Sequence, residues 1–180
     1  MATPQTGIFA LGTMSHAYLQ FDLRPADAAA DLVALVASLR EPRTTIGGVN
    51  LVAGFRPELW AAVAPEAAPV GASGFDRPIV GCDGYALAAT QHDAVIWLAG
   101  AAYDMVFDVS RGVVSALAGH ATRAHEIVGL ADHRDRDLSG CIDVTHDPIL
   151  VEAAMDPQAP NADKYNFEVQ QGEPADLPLE

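Results

Sequence analysis

Between residues 16 and 23 every second side chain is apolar (Ala17, Leu19, Phe21, Leu23), and the same rhythm returns after Gly47-Gly48 in Val49, Leu51, Ala53 and Phe55. Side chains of an extended chain point alternately to opposite faces, so each stretch predicts a strand with one buried face. Between them Leu32, Leu35, Val36 and Leu39 recur at helical spacing, with Pro25 and Asp27 ahead of them and Pro42 behind. Proline's fixed φ and an acidic first turn favour a helix start, and a proline past the last turn stops the helix. Residues 94–99 form an unbroken apolar run around Trp97, as expected of a strand covered on both faces. A second helix is predicted over 102–118, with Tyr103, Val106, Phe107, Val114 and Leu117 on its core side and Gly119 as C-cap. Residues 126–130 read as a fourth strand. The order strand, helix, strand, strand, helix, strand predicts an α+β fold, the ferredoxin-like βαββαβ sandwich, with one antiparallel sheet and two helices on one face.

The segment 61–92 is a long connection rich in Pro and Gly. Structureless loops of that length are uncommon and more often functional than neutral, so an insertion that covers something is expected here. Past Pro148 the pattern changes: a short helical piece over 149–155, then Pro157, Pro160 and Asn161, then Tyr165, Phe167 and Val169 alternating like one more strand, then an acidic tail.

Charge narrows the possible partners. With 24 acidic against 10 basic residues the chain carries a net charge of −14, which excludes nucleic acid and an anionic membrane surface as partners. Lys164 is the sole lysine, so no polybasic segment exists. The opening Met1-Ala2-Thr3-Pro4-Gln5-Thr6 lacks the layout of a signal peptide, and no apolar run reaches the roughly 18–20 residues that span a bilayer. Two cysteines, Cys82 and Cys141, make neither a disulfide framework nor a zinc site. A soluble protein of a reducing compartment, hence cytoplasmic, is the expectation. Gly71/Gly74 and Gly81/Gly84 do not form a phosphate-binding fingerprint.

The chemistry-bearing stretch is Arg136-Asp137-Leu138-Ser139-Gly140-Cys141-Ile142-Asp143-Val144-Thr145-His146-Asp147-Pro148. It places a lone carboxylate, Asp143, after an apolar residue in a loop bounded by Gly and Pro, where burial tunes proton affinity. The plainer role for Asp143 is to accept backbone amides in a turn. His146, three residues on, is expected in solvent. His125, His133, Asp132, Asp135 and Asp137 match no ligand spacing and read as a solvated charge run, so no metal site is assigned. His92 beside Asp93 is expected to cap the third strand, and Cys141 to pack as a small apolar residue.

The same stretch resembles the Gly-x-x-Asp-Gly signature of the dye-decolourising (DyP-type) haem peroxidases, which usually continues Thr-Glu-Asn-Pro. Further segments are similar to that family: Gly7-Ile8-Phe9 and the strand after it, Gly54-Phe55-Arg56-Pro57-Glu58-Leu59-Trp60, Ala89-Thr90-Gln91-His92-Asp93-Ala94-Val95-Ile96-Trp97-Leu98, and Tyr165-Asn166-Phe167-Glu168-Val169-Gln170-Gln171. The match covers most of this chain and about the first half of a family member. It implies a duplicated ferredoxin-like fold and oxidation of organic donors (dyes, phenolics or porphyrins) by hydrogen peroxide on haem b. Asp143 takes the place of the distal catalytic Asp, with Ile142, Val144, Thr145 and His146 beside the cofactor. Val144 stands where the family has glycine; a β-branched residue resists the positive φ and close approach that glycine permits, so Val144 is expected to disturb haem docking. The family's axial His and distal Arg fall in the unmatched half, so activity is not expected of this chain alone.

The implied organisation is a ferredoxin-like domain over 1–135, the distal Asp loop and linker over 136–160, and the start of a second domain or a disordered tail over 161–180. Two other readings stand beside the peroxidase: a non-enzymatic relative serving as a dimerisation or partner-binding domain, and a small-molecule-binding module using 61–92. The unpaired strand at 165–169 invites β-pairing, so a homo-oligomer is expected.

Overall fold

The alternating stretches pair into a sheet. The computed structural model describes residues 5–10, 13–24, 29–39, 43–44 and 47–131, all within one compact unit. In chain order these are β1 (Ser15–Leu23), α1 (Ala29–Ser38), β2 (Arg43–Thr44), β3 (Gly47–Phe55), α2 (Pro57–Val63), β4 (Ile79–Val80), β5 (Ala86–Leu87), β6 (Ala94–Gly100), α3 (Tyr103–Leu117) and β7 (Ala121–Leu130). The main sheet runs β2-β3-β6-β1-β7, antiparallel at each pairing, and β4 with β5 forms a separate hairpin. Without the short β2, α2 and the hairpin, the chain reads βαββαβ with the first strand paired to the third and fourth: the expected ferredoxin-like α+β sandwich.

One face of the sheet meets the helices. Ala17, Leu19 and Phe21 of β1, Ile96 and Leu98 of β6 and Val49 of β3 form one core with Leu32 and Val36 of α1 and Val106, Val113 and Leu117 of α3. Each fully buried side chain of this size contributes about 1.5–3 kcal/mol, which makes this layer the main source of stability. The opposite face follows from register: Val52 lies beside Trp97, Trp97 beside Tyr18, and Tyr18 beside Ile127, one row across four strands. Gly7 seals the far edge. A Cβ there would sit 2.9 Å from Val52 Cγ2, and the neighbouring Gln5 amide donates to Ala53 O (2.7 Å) and accepts from Ala53 N (2.8 Å), in the manner of an added strand.

Four expectations are corrected. β7 begins at Ala121, five residues before the predicted strand, because a bulge opposite Gln20/Phe21 breaks the alternation. Tyr103 and Phe107 are not core: they are 52% and 42% exposed, and the buried stripe of α3 is Val106, Ser110, Val113 and Leu117. Ser110 fits there because its hydroxyl donates to Val106 O at 2.7 Å. The C-cap of α3 is Ala118 in right-handed helical conformation rather than Gly119. Residues 61–92 are not structureless: they carry the end of α2, a 3₁₀ turn at Pro65–Ala67 and the β4–β5 hairpin. Pro25, Asp27, Pro42 and the elements expected over 149–155 and 165–169 lie outside the described residues.

Candidate functional site

Asp143, Ile142, Val144, Thr145 and His146 lie outside the described residues, as do Asp132, His133, Asp135, Asp137 and Cys141. The described residues hold two polar clusters on the main sheet, one at its end and one on its open face.

The end cluster joins strands far apart in sequence. Asp93, just ahead of β6, accepts Leu23 N at 2.7 Å with Oδ2 and Arg56 Nε at 2.5 Å with Oδ1, while its own amide donates to Phe21 O. One half-buried carboxylate thereby ties together the ends of β1, β3 and β6. Charge-assisted bonds of this kind are roughly twice as strong as neutral ones. The expected cap of the third strand is thus Asp93, and His92 has a different partner: its Nδ1–H donates to Asp22 Oδ1 at 2.9 Å. The His92 ring meets His125 of β7 edge-on, centroids 5.1 Å apart. A carboxylate fixing one ring nitrogen is how a general-base histidine is held. Among the described residues, however, the ring of His92 is bonded to Asp22 and stacked edge-on with His125, and no Ser, Thr or Cys side chain is bonded to it.

The open-face cluster is Trp97, His16 and Tyr18. Trp97 Nε1 donates to His16 Nδ1 at 3.2 Å, and His16 Nε2 lies 3.2 Å from Thr13 O. An indole N–H only donates and a carbonyl only accepts, so His16 is neutral with its proton on Nε2. Both ring nitrogens are then used. Tyr18 stacks on Trp97 with centroids 5.8 Å apart, and burial against this platform raises its phenol pKa above 10.0. The ionised phenolate is disfavoured there, so pH above that range weakens the fold.

Among the described histidines, His16 has both ring nitrogens engaged, His92 is paired through Nδ1 with Asp22, His120 sits in the turn before β7 and His125 on an edge strand. Among the described residues no group of three or more His, Cys, Asp or Glu could hold a metal ion, and no helix is long and apolar enough to cross a membrane. Sequence reasoning named His92 with Asp93 and, in a separate charge run, His125, but not the pairing of these residues with one another or with Asp22 and Arg56, because the partners lie 33 to 70 residues apart and share no local spacing.

No protein-family model matches the chain, and no curated protein sequence does. Solved structures do. DypB from Rhodococcus jostii RHA1 is 22% identical with a TM-score of 0.67, over 86% of this chain and 51% of that one. A putative DyP-type peroxidase from Shewanella oneidensis is 19% identical with a TM-score of 0.65, over 82% and 49%. A dye-decolorizing peroxidase from Bacteroides thetaiotaomicron VPI-5482 is 18% identical with a TM-score of 0.58, over 80% and 48%. One DypB variant of similar likeness is in complex with heme. This chain therefore shares its ferredoxin-like fold with DyP-type peroxidases and spans about half their length.

Proposed function

We propose that this chain serves a dye-decolourising-type peroxidase reaction, in which hydrogen peroxide oxidises an organic donor (a dye, a phenolic or a porphyrin) with haem b as cofactor. The observation that carries the reading is the fold shared with three DyP-type structures. The Gly140-to-Pro148 run, with its single family-type carboxylate, supports it. When bound, haem supplies the iron centre at which peroxide is reduced. The chain's own contribution is Asp143, a carboxylate that takes up a proton and returns it, help typically worth about 10² to 10⁴-fold. Ile142, Val144, Thr145 and His146 flank it beside the cofactor. The resemblance places the axial His in the unmatched half of the family's length, so on this reading a second half supplies that ligand. The setting is a cytoplasmic, non-membrane one, in keeping with the acidic composition.

A second reading is favoured by one observation: both ring nitrogens of His16, in the open-face cluster, are already bonded. In this reading the chain is a peroxidase-derived domain that binds a partner without performing the chemistry.

Titration with haemin separates the two. In a chain supplied with the second half, a Soret band saturating at one haemin per chain, with peroxide-dependent dye oxidation lost in Asp143→Ala, is the expected result for the first. Featureless, non-saturating absorption overturns it in favour of the second. Val144→Gly, in a chain supplied with the second half, is expected to raise haem occupancy.

A further inference from the structure

The connection between β3 and β6 carries an arm that nothing among the described residues covers. Its root is fixed: Glu58 Oε1 accepts Gly74 N at 2.8 Å, and Gln91 Oε1 accepts Phe75 N at 2.5 Å. Its tip is a tight turn in which Gly81 N donates to Tyr85 O at 2.8 Å, with Asp83 at φ 62° and Gly84 at φ 77°. Between root and tip, Ile79 pairs with Leu87 and Val80 with Ala86. Cross-strand partners share a face, so Ile79 and Leu87 form one apolar face and Val80 with Ala86 the other. Ile79 is 58% exposed, Val80 68%, Tyr85 71% and Leu87 48%. Two strands of two residues each are marginal in water, and large apolar side chains gathered on an ordered projection mark an interaction surface.

We propose that this arm is a self-association surface, through which two copies of the chain pack their Ile79/Leu87 faces together about a two-fold axis. Charge selects the occupant. From Pro78 to Gln91 the sole charged residue is Asp83, in a chain of net charge −14. Two copies repel over most of their surfaces and least along this stretch. A neutral apolar face is also complementary to itself, which is the requirement of a two-fold contact. A basic partner would find carboxylates in plenty elsewhere and no reason to choose the arm, and an anionic surface is repelled by the whole molecule. The face is small, so the association is reversible and in the micromolar range rather than permanent. It stands independently of haem binding and of the peroxidase reading.

Sedimentation velocity over about 1–200 μM chain, a span that brackets micromolar affinity, tests this directly. The expected result is a concentration-dependent monomer–dimer equilibrium weakened at least about tenfold, roughly 1.4 kcal/mol, by Leu87→Asp and by Ile79→Asp. Val70→Asp, on a fully exposed residue outside the hairpin, is expected to leave the dimer unchanged. Circular dichroism of all three variants is expected to match wild type, since each side chain is exposed. A monomer throughout the range overturns the proposal. So does a dimer indifferent to Leu87→Asp and Ile79→Asp, or one that Val70→Asp disrupts equally, because the contact would then lie elsewhere or reflect charge alone.

Discussion

The helix-covered face of the sheet and the β4–β5 arm are made from the same kinds of side chain and put them to opposite use. Phe21, Leu19, Ile96 and Leu98 vanish between two layers, while Ile79, Val80, Tyr85 and Leu87 stand in solvent. The difference lies in length and cover rather than composition. β1 and β6 run nine and seven residues and lie side by side at the centre of the sheet, so α1 and α3 can lie across them. The arm's strands have two residues each, too few to support a covering helix. Apolar residues are thus a core where neighbouring elements are long enough to close over them, and a contact surface where they are not.

The comparison breaks or sharpens with four measurements. Phe21→Ala should cost about 3–5 kcal/mol in equilibrium denaturation, against less than about 0.5 kcal/mol for Tyr85→Ala in dilute solution. Similar costs for the two would dissolve the distinction. Asp93→Ala should cost about 2 kcal/mol, because it strands Leu23 N and the Arg56 guanidinium at the sheet's end; an unchanged denaturation midpoint would show that the sheet does not lean on this carboxylate. His16→Phe removes the acceptor of Trp97 Nε1 and should cost about 1 kcal/mol, with a shift in tryptophan fluorescence as its signature. The smallest effect is at the arm's root. The Gly74 amide, with help from Glu58's own amide and Arg56, holds the exposed Glu58 carboxyl below its usual range. Its contribution is therefore present above the ordinary carboxylate value and fades as pH falls through the lowered one. Proton-exchange protection of the Gly74 amide should follow that titration and be lost in Glu58→Ala at neutral pH.

Much of the sheet could be read from the chain because burial on one face writes itself as alternation, which holds for β1 and β3. β7 was half legible. Its bulge adds Ala124 between the partners of Gln20 and Phe21, which reverses the parity of every position on one side of it. On α3 the aromatic rings of Tyr103 and Phe107 outweighed Ser110 as core candidates, yet Ser110 is buried because a hydroxyl can return its hydrogen bond to the preceding turn. Local signals also missed the end cluster: the Asp22–His92 and Arg56–Asp93 pairs exist only once β1, β3 and β6 are side by side.

Arg56 and Asp93 meet twice, through the guanidinium–carboxylate pair and through the bond from Arg56 N to Asp93 O at 3.1 Å. The 36 positions between them leave and return through a closed gate. To the sheet, β3 and β6 are a hairpin whose connection is already tied off, and the length beyond the tie enters only logarithmically, about 0.6 kcal/mol per doubling of the loop. Between α2, whose Leu59 is buried, and His92, which bonds Asp22, the connection can lengthen, shorten or change its surface without disturbing a single strand register. Novelty in this fold can accumulate there at almost no cost to the architecture that carries it.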